Sequence, residues 1–146
     1  MFKRKIYSKM QEWKKNSNGK TALLIEGARR IGKSTVVEEF AKNEYQSYLL
    51  IDFSRASKET KELFEDVSDL NYLFLQLQLQ YKIDLQERNS VIIFDEVQLC
   101  PAARQAIKAL VADHRYDYIE TGSLISIKRN VKDILIPSEE RKISMY

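Results

Sequence analysis

Several residue types that particular functions require are scarce in this sequence of 146 residues. There is one cysteine, Cys100, and one histidine, His114. An internal disulfide requires two cysteines and a histidine-rich metal cluster requires several histidines, so the sequence excludes both. We therefore expect Cys100 to be a small packed residue and His114 to lie in an exposed loop.

Long apolar runs are absent as well. No stretch approaches the roughly 20 apolar residues of a membrane-spanning helix. The basic residues at 3–5 are not followed by the apolar segment that a secretory signal needs. We therefore expect a cytoplasmic protein with no membrane contact, and the 44% hydrophobic content suits one globular domain.

The sequence also lacks a strong excess of charge of either sign. Its 24 Lys and Arg and 21 Asp and Glu leave a net charge of +3, which is too small to argue for nucleic acid binding and leaves that partner open. Part of the basic excess is local, and we interpret it as the solvated face of a helix, with contact to a partner's phosphate groups as the less favoured alternative. The residues concerned are Lys3, Arg4, Lys5, Lys9, Lys14, Lys15 and Lys20.

A complete phosphate-loop pattern, G-x-x-x-x-G-K-[ST], lies between an apolar run at 21–26 and an amphipathic segment at 35–42. We expect a strand, a loop and a helix, in which backbone N–H groups and the positive end of the helix hold the phosphates of a nucleoside triphosphate. Lys33 would reach the β- and γ-phosphates, and the Ser34 hydroxyl would bind Mg²⁺. A simple turn is the alternative. The predicted nucleotide-binding residues are Gly27, Ala28, Arg29, Arg30, Ile31, Gly32, Lys33, Ser34 and Thr35.

A second apolar run, residues 91–96, ends in two acids and predicts a Walker B strand. Asp95 would hold Mg²⁺, directly or through water, and Glu96 would polarise the attacking water. A polar strand end in solvent is the alternative. The guanidinium groups of Arg29 and Arg30 flank the phosphate loop, and we expect at least one of them to contact a neighbouring element or subunit instead of the nucleotide.

Predicted strands and helices alternate along the rest of the chain, which indicates an α/β three-layer domain with a parallel sheet and a site at the carboxyl ends of its strands. Residues 73–80 alternate apolar and polar side chains, as a strand does, but a crossover between parallel strands favours a helix there. Residues 54–62 are predicted to be a charged loop. The other predicted helices are 2–16, 63–70 and 102–112, and the other predicted strands are 48–53, 118–123 and 143–146.

Four segments together resemble the prokaryotic AAA+-related ATPases of the AAA_14 type: E-G-A-R-R-I-G-K-S at 26–34, I-D-F at 51–53, I-I-F-D-E-V-Q-L at 92–99 and E-T-G-S-L at 120–124. The resemblance covers nearly the whole chain. It implies a P-loop NTPase fold of the AAA+/ASCE kind with five parallel strands in the order 5-1-4-3-2, and ATP as the nucleotide. It also implies a sensor-like polar residue at the end of the fourth strand, where Ser123, or Thr121 beside it, stands in place of the Asn usual in the wider AAA+ class.

The same resemblance implies that residues 1–146 are an ATPase core that ends before a lid and a C-terminal domain. It also implies homo-oligomers in which an arginine just before the fifth strand completes the neighbouring subunit's site. Arg141 is the leading candidate for that catalytic role and Arg129 the second, while a surface arginine paired with Glu139 or Glu140 is the plain alternative.

Three functions are compatible with these motifs. A Mg²⁺-dependent ATPase that moves partner domains or subunits is favoured because of Glu96. A small kinase would need an arginine-rich lid, which the sequence does not show, and a regulatory module that binds nucleotide without turnover is the third candidate. Near the start, Arg4, Ile6 and Tyr7 could border the base or pack under the sheet.

Overall fold

Strands and helices alternate along the chain, as the sequence predicts. The structure, a computed structural model, describes residues 2–27, 33–122 and 140–145. The helices are α1 (Phe2–Ser17), α2 (Lys33–Glu44), α3 (Lys58–Glu62), α4 (Leu70–Tyr81) and α5 (Pro101–Asp113). The strands are β1 (Ala22–Gly27), β2 (Ser47–Asp52), β3 (Ser90–Asp95), β4 (Asp117–Gly122) and β5 (Glu140–Met145). None of the helices in these described ranges is long and apolar enough to cross a membrane.

The five strands form one parallel sheet in the order β2-β3-β4-β1-β5. Read from its other edge, this order is 5-1-4-3-2, so the predicted fold class is confirmed. In the register of the sheet, Leu24 of β1 lies between Glu120 of β4 and Lys142 of β5. The strand that leads into the phosphate loop is therefore paired on both sides, and β4 separates it from the Walker B strand.

Two apolar cores lie on opposite faces of the sheet, because successive side chains of a strand point to opposite sides. One core joins α1 and α2 to Ile25, Ile93 and Ile119. The other joins α4 and α5 to Ile92, Phe94 and Tyr118, among others. This gives the predicted three layers. Ile6 is buried in the first core and the Tyr7 hydroxyl donates a hydrogen bond to Glu44, so the start of α1 packs under the sheet.

Helix α4 forms where the alternating pattern alone favours a strand. Asp69 caps its first turn by accepting a hydrogen bond from the backbone N–H of Tyr72, at 3.1 Å. Leu73, Phe74 and Leu77 are buried, at the three- and four-residue spacing of a helical face. The helix predicted for this segment is confirmed.

Three local predictions are wrong. Residues 54–62 are not all loop, because Ser57 accepts a hydrogen bond from the Thr60 N–H and starts α3. Residues 63–70 form only a 3₁₀ turn at Leu63–Glu65, since Asp66 adopts an extended backbone. Strand β5 begins at Glu140, three residues earlier than predicted, because its pairing with β1 starts at Ala22.

At the amino ends of the strands, one arginine ties three loops together. The Arg88 guanidinium donates hydrogen bonds to an Asp117 carboxylate oxygen at 2.9 Å and to the His114 carbonyl at 3.2 Å. It also lies against Gly19, whose φ of +81° favours glycine. The Tyr45 hydroxyl donates to the other oxygen of Asp117. These contacts fix the end of the sheet opposite the phosphate loop.

The two scarce residues lie as the sequence predicts. Cys100 is buried, and burial raises the pKa of its thiol, as expected for a packed residue. His114 is exposed and ends α5 with a left-handed backbone conformation.

Candidate nucleotide site

The site forms where β1, β3 and β4 end and α2 begins. Gly27 is the last residue of β1, and Lys33 is the first residue of α2, so the predicted strand and helix flank the phosphate loop. The N-terminus of a helix concentrates free N–H groups and a positive partial charge, which favours a phosphate. Ala28, Arg29, Arg30, Ile31 and Gly32 lie outside the described residues, and so does the Lys33 side chain. Thr35 is exposed on the first turn of α2.

Ser34 and Asp95 meet although 61 residues separate them in the sequence. The Ser34 hydroxyl donates a hydrogen bond to Oδ1 of Asp95 at 2.8 Å. Asp95 is buried at the end of β3. A hydroxyl and a carboxylate are hard oxygen donors of the kind that Mg²⁺ binds together with waters and substrate phosphates. The two residues predicted to bind the metal are thus adjacent and chemically suited to it.

Thr121 links the two acids of the Walker B segment. Its hydroxyl donates to Oδ1 of Asp95 at 2.6 Å and accepts a hydrogen bond from the backbone N–H of Glu96 at 3.1 Å. The side chain is fully buried in β4, the strand between β1 and β3. Thr121 therefore lies at the predicted sensor-like position, and Ser123, the leading candidate for that role, lies outside the described residues.

Glu96 has an unusual backbone. It directly follows β3 with φ +55° and ψ +52°, the left-handed region that few residues other than glycine adopt. Its carboxylate oxygen Oε1 accepts a hydrogen bond from the side-chain amide of Gln98 at 2.7 Å. Strained residues of this kind concentrate at functional sites, where surrounding contacts hold them. Here Thr121 holds the backbone of Glu96 and Gln98 orients its side chain.

Sequence reasoning assigned no role to Gln98 or to a buried ion pair behind the site. Gln98 lies within the segment that carries the family resemblance. Its position two residues after Glu96 is the one feature of the sequence that indicates a contact between the two side chains. Arg104 of α5 donates from one guanidinium nitrogen to both carboxylate oxygens of Glu120, each at 2.9 Å. Because Arg104 stands on a helix 16 residues before Glu120, no sequence pattern joins them. The pair attaches α5 to the residue next to Thr121.

Arg141 does not lie beside Ser34 and Asp95 of its own chain. It is exposed inside β5, not ahead of that strand as predicted, because β5 starts at Glu140. In register it pairs with Leu23, four residues before Gly27 and so roughly 13 Å along β1 from the phosphate loop. Its role toward a neighbouring subunit stays a prediction. Arg129 lies outside the described residues.

The fold and the site together define a P-loop NTPase of the AAA+ kind. The parallel sheet has the order 5-1-4-3-2, and the phosphate-loop sequence joins β1 to α2. A polar residue of β4, the strand between β1 and β3, donates a hydrogen bond to the Walker B acid.

Comparison with known proteins gives the family. The chain belongs to the AAA_14 family, whose model, described as an AAA domain, matches residues 19–145. It is therefore a member of the ATP-binding ATPases of the AAA class. Among solved structures, the C. elegans protein PCH-2 is similar in fold, with a TM-score of 0.52 and 14% identity over 97% of this chain. This chain spans 42% of the PCH-2 chain.

The search of curated proteins gives no match. The findings do not bear on the source organism, so a prokaryotic origin stays a prediction.

Proposed function

We propose that this chain binds ATP with Mg²⁺, hydrolyses it, and uses hydrolysis to move partner domains or subunits. The observation that supports this most directly is the convergence on Asp95, whose Oδ1 accepts hydrogen bonds from Ser34 of α2 and from Thr121 of β4. These contacts bring the helix that follows the phosphate loop against the Walker B strand. A phosphate bound at the loop would then lie next to both the metal-binding residues and Glu96.

The binding half of the proposal rests on the start of α2. The N–H groups of residues 27–34 and the Lys33 ammonium would hold the β- and γ-phosphates. Ser34 and Asp95 would hold Mg²⁺, which supplies neutralisation of charge on the phosphate oxygens. The family assignment supports adenine as the base.

The hydrolytic half rests on Glu96. A general base must lie within hydrogen-bond reach of the water that it deprotonates. Gln98 and Thr121 hold the side chain and backbone of Glu96 at the carboxyl end of β3. The preceding residue, Asp95, contacts Ser34 at the start of α2, where we propose that the phosphates bind. A kinase does not need a glutamate to activate water in the same way, so this arrangement favours hydrolysis over phosphate transfer to a substrate hydroxyl.

The test compares the parent protein with Glu96→Gln and Lys33→Ala. We expect Glu96→Gln to retain MgATP affinity in calorimetry and to lose phosphate release, because an amide can hydrogen-bond a water but cannot take its proton. We expect Lys33→Ala to lose MgATP binding, because it removes the ammonium group that we propose holds the β- and γ-phosphates.

Undiminished MgATP affinity in Lys33→Ala would contradict the proposed site. Equal phosphate release by Glu96→Gln and the parent would restrict Glu96 to a structural role. If the parent binds MgATP and releases phosphate only at the background rate, the regulatory module without turnover replaces the ATPase. A cytoplasmic location stays a prediction, as do a lid and a C-terminal domain after Tyr146, which the gene sequence beyond Tyr146 would test.

A further inference from the structure

The modest net charge of the chain conceals a strong asymmetry. Residues 1–20 contain seven Lys and Arg and one Glu, a local charge of +6. Since the whole chain carries +3, residues 21–146 carry −3. The positive excess is therefore concentrated in the first 20 residues, most of which form α1. A local concentration of positive charge attracts a polyanion.

Most of the described basic residues of α1 are exposed to solvent. Ile6, Met10 and Trp13 occupy the buried face of this helix. Lys14 is engaged within the fold, because its ammonium donates to the Glu44 carbonyl and lies over the Tyr45 ring. The remaining described cations of the helix are exposed, and they form no ion pair in the described part of the chain. They are Arg4, Lys5, Lys9 and Lys15.

A groove of about 570 Å³ runs between α1 and the edge strand β5. Its exposed cations are Lys9, Lys20 and Arg141, and Glu12 is the one acid among the described residues that line it. Lys142 also lines the groove, but its ammonium pairs with Glu26 at 2.7 Å and is already neutralised. The groove continues the exposed basic surface of α1 with the same sign of charge.

We propose that this groove binds the phosphodiester backbone of nucleic acid without sequence preference. Nucleic acid is the partner with the densest regular negative charge, and a basic groove that follows its backbone is the usual means of holding it. A flat anionic bilayer would contact the rim of α1 but not the cations between α1 and β5. A second copy of this chain offers residues 21–146, whose net −3 is spread over 126 residues and is a far weaker attraction.

The proposed groove is separate from the nucleotide site. It lies at the amino ends of β1 and β5, whereas Ser34 and Asp95 lie at the carboxyl ends. Nucleic acid binding is therefore expected without ATP. Its success or failure can be measured independently of the proposed hydrolysis.

The experiment measures fluorescence anisotropy of a fluorescein-labelled single-stranded oligonucleotide of mixed sequence, titrated with the protein in the absence of nucleotide. We compare the parent with Lys9→Gln/Lys20→Gln and with a control of equal net charge, Lys58→Gln/Lys108→Gln, whose lysines are exposed on α3 and α5. All four positions are exposed, so we expect every variant to fold. Thermal unfolding verifies this.

At about 50 mM salt we expect the groove variant to bind at least roughly tenfold more weakly than the parent. Its slope of log K against log salt should be smaller by about 1.4, since each lost contact removes about 0.7 for a single strand. The control variant should match the parent in both quantities.

Three results would overturn the proposal. The first is a parent protein that does not bind the oligonucleotide at this salt concentration, and the second is equal weakening by the control pair. The third is a Lys9- and Lys20-dependent association with phosphatidylserine vesicles, or between copies of the chain in sedimentation, in the absence of oligonucleotide binding. That result would assign the groove to a membrane or to self-association.

Discussion

At the scale of single residues, one threonine hydroxyl serves both acids of the Walker B segment. Thr121 donates to Asp95 and accepts from the Glu96 backbone, and its side chain is fully buried. A hydroxyl can do both at once because it carries one donor and two acceptor lone pairs. The positions of the proposed metal-binding acid and of the proposed base are therefore coupled through one atom.

We predict that Thr121→Val lowers the free energy of unfolding by about 1–3 kcal/mol, because it leaves the Glu96 N–H and an oxygen of the buried Asp95 with one partner fewer. Phosphate release should fall by roughly 10–100-fold, since a displaced Glu96 no longer meets its water. Thr121→Ser keeps the hydroxyl and should retain both properties. Urea unfolding and a phosphate-release assay measure the two effects, and a Thr121→Val protein with parental turnover would exclude a role in positioning.

The side chain of Tyr118 provides a second buried hydroxyl. Tyr118 is 1% exposed, and its hydroxyl has no hydrogen-bond partner within the described ranges of the chain. Burial raises the pKa of Tyr118 well above its ordinary value near 10. The folded protein therefore keeps this proton at high pH, whereas the unfolded chain releases it above about pH 10.

We predict that Tyr118→Phe leaves stability near neutral pH unchanged or raises it by about 1 kcal/mol, because it removes an unpaired buried hydroxyl. In the parent, the contribution of Tyr118 is fully present below about pH 10 and is lost as the pH rises further, by up to about 1.4 kcal/mol per pH unit. The variant should therefore lose stability less steeply above pH 10.

The matched control for that variant is Tyr45→Phe. Burial also raises the pKa of Tyr45, and its hydroxyl donates to Asp117. Removing this donor should cost about 1–3 kcal/mol near neutral pH. Urea unfolding at a series of pH values measures both variants, and an equal loss at neutral pH in Tyr118→Phe would show that its hydroxyl is paired.

At the scale of elements, the sequence predicts the regular core well and the connections poorly. Strands β1 and β3 contain the apolar runs 22–25 and 91–94, which a parallel sheet buries on both faces, so composition alone identifies them. Composition does not predict helix α3, because its five residues, Lys58–Glu62, are all charged or polar and show no apolar periodicity. Only the Ser57 cap indicates where this helix begins. Composition does not predict the start of β5 either, because charged residues at 140–142 pair with β1 at a sheet edge.

The loops at the amino ends of the strands offer a test of one such connection. We predict that Gly19→Ala destabilises the protein by about 1–3 kcal/mol, because φ is +81° and the new Cβ would lie 2.6 Å from an Arg88 nitrogen. Arg88 could avoid the methyl group only by leaving Asp117. In an Arg88→Ala background the same change should cost less, because only the backbone strain is left. Urea unfolding of the four proteins decides this, and an identical cost in both backgrounds would contradict the contact.

At the scale of the whole molecule, the sequence indicates which residues of the candidate site lie close together better than it indicates their contacts. Gly27, Ser34 and Asp95 were predicted because a phosphate loop and a strand ending in acids are local patterns. Gln98 and the Arg104–Glu120 pair were not, because their partners are set by three-dimensional packing. Whether Thr121 or Ser123 lies beside Asp95 depends on the register of β4 against β3, which cannot be read from the sequence.

A further prediction at this scale is that the site of one subunit is completed by an arginine of a neighbouring subunit. Arg141 lies roughly 13 Å along β1 from the phosphate loop of its own chain. On the family resemblance we predict that it completes a neighbour's site, in which case the proposed groove depends on Lys9 and Lys20. Arg141→Ala should then lose phosphate release while retaining ATP. An arginine supplied to another subunit contributes roughly 10³- to 10⁵-fold in rate.

Mixing Lys33→Ala and Arg141→Ala chains of the full-length protein tests this prediction. Activity should return on mixing, because one kind of mixed interface joins an intact phosphate loop to an intact arginine. An Arg141→Ala protein with parental turnover by itself would remove Arg141 from the site.

The order of the strands in the sheet affects how this protein folds while the ribosome synthesises it. Strand β1 is the first of the five strands to be made, yet its two neighbours are β4 and β5, the fourth and fifth strands to be made. At about 5–20 residues per second, the chain from Gly27 to Gly122 takes roughly 5–20 s to synthesise. Strands β2 and β3 can pair during that interval, but Thr121 cannot yet join Asp95 to Glu96. A nascent chain therefore contains its phosphate loop for several seconds before the strand that carries Thr121 has been synthesised.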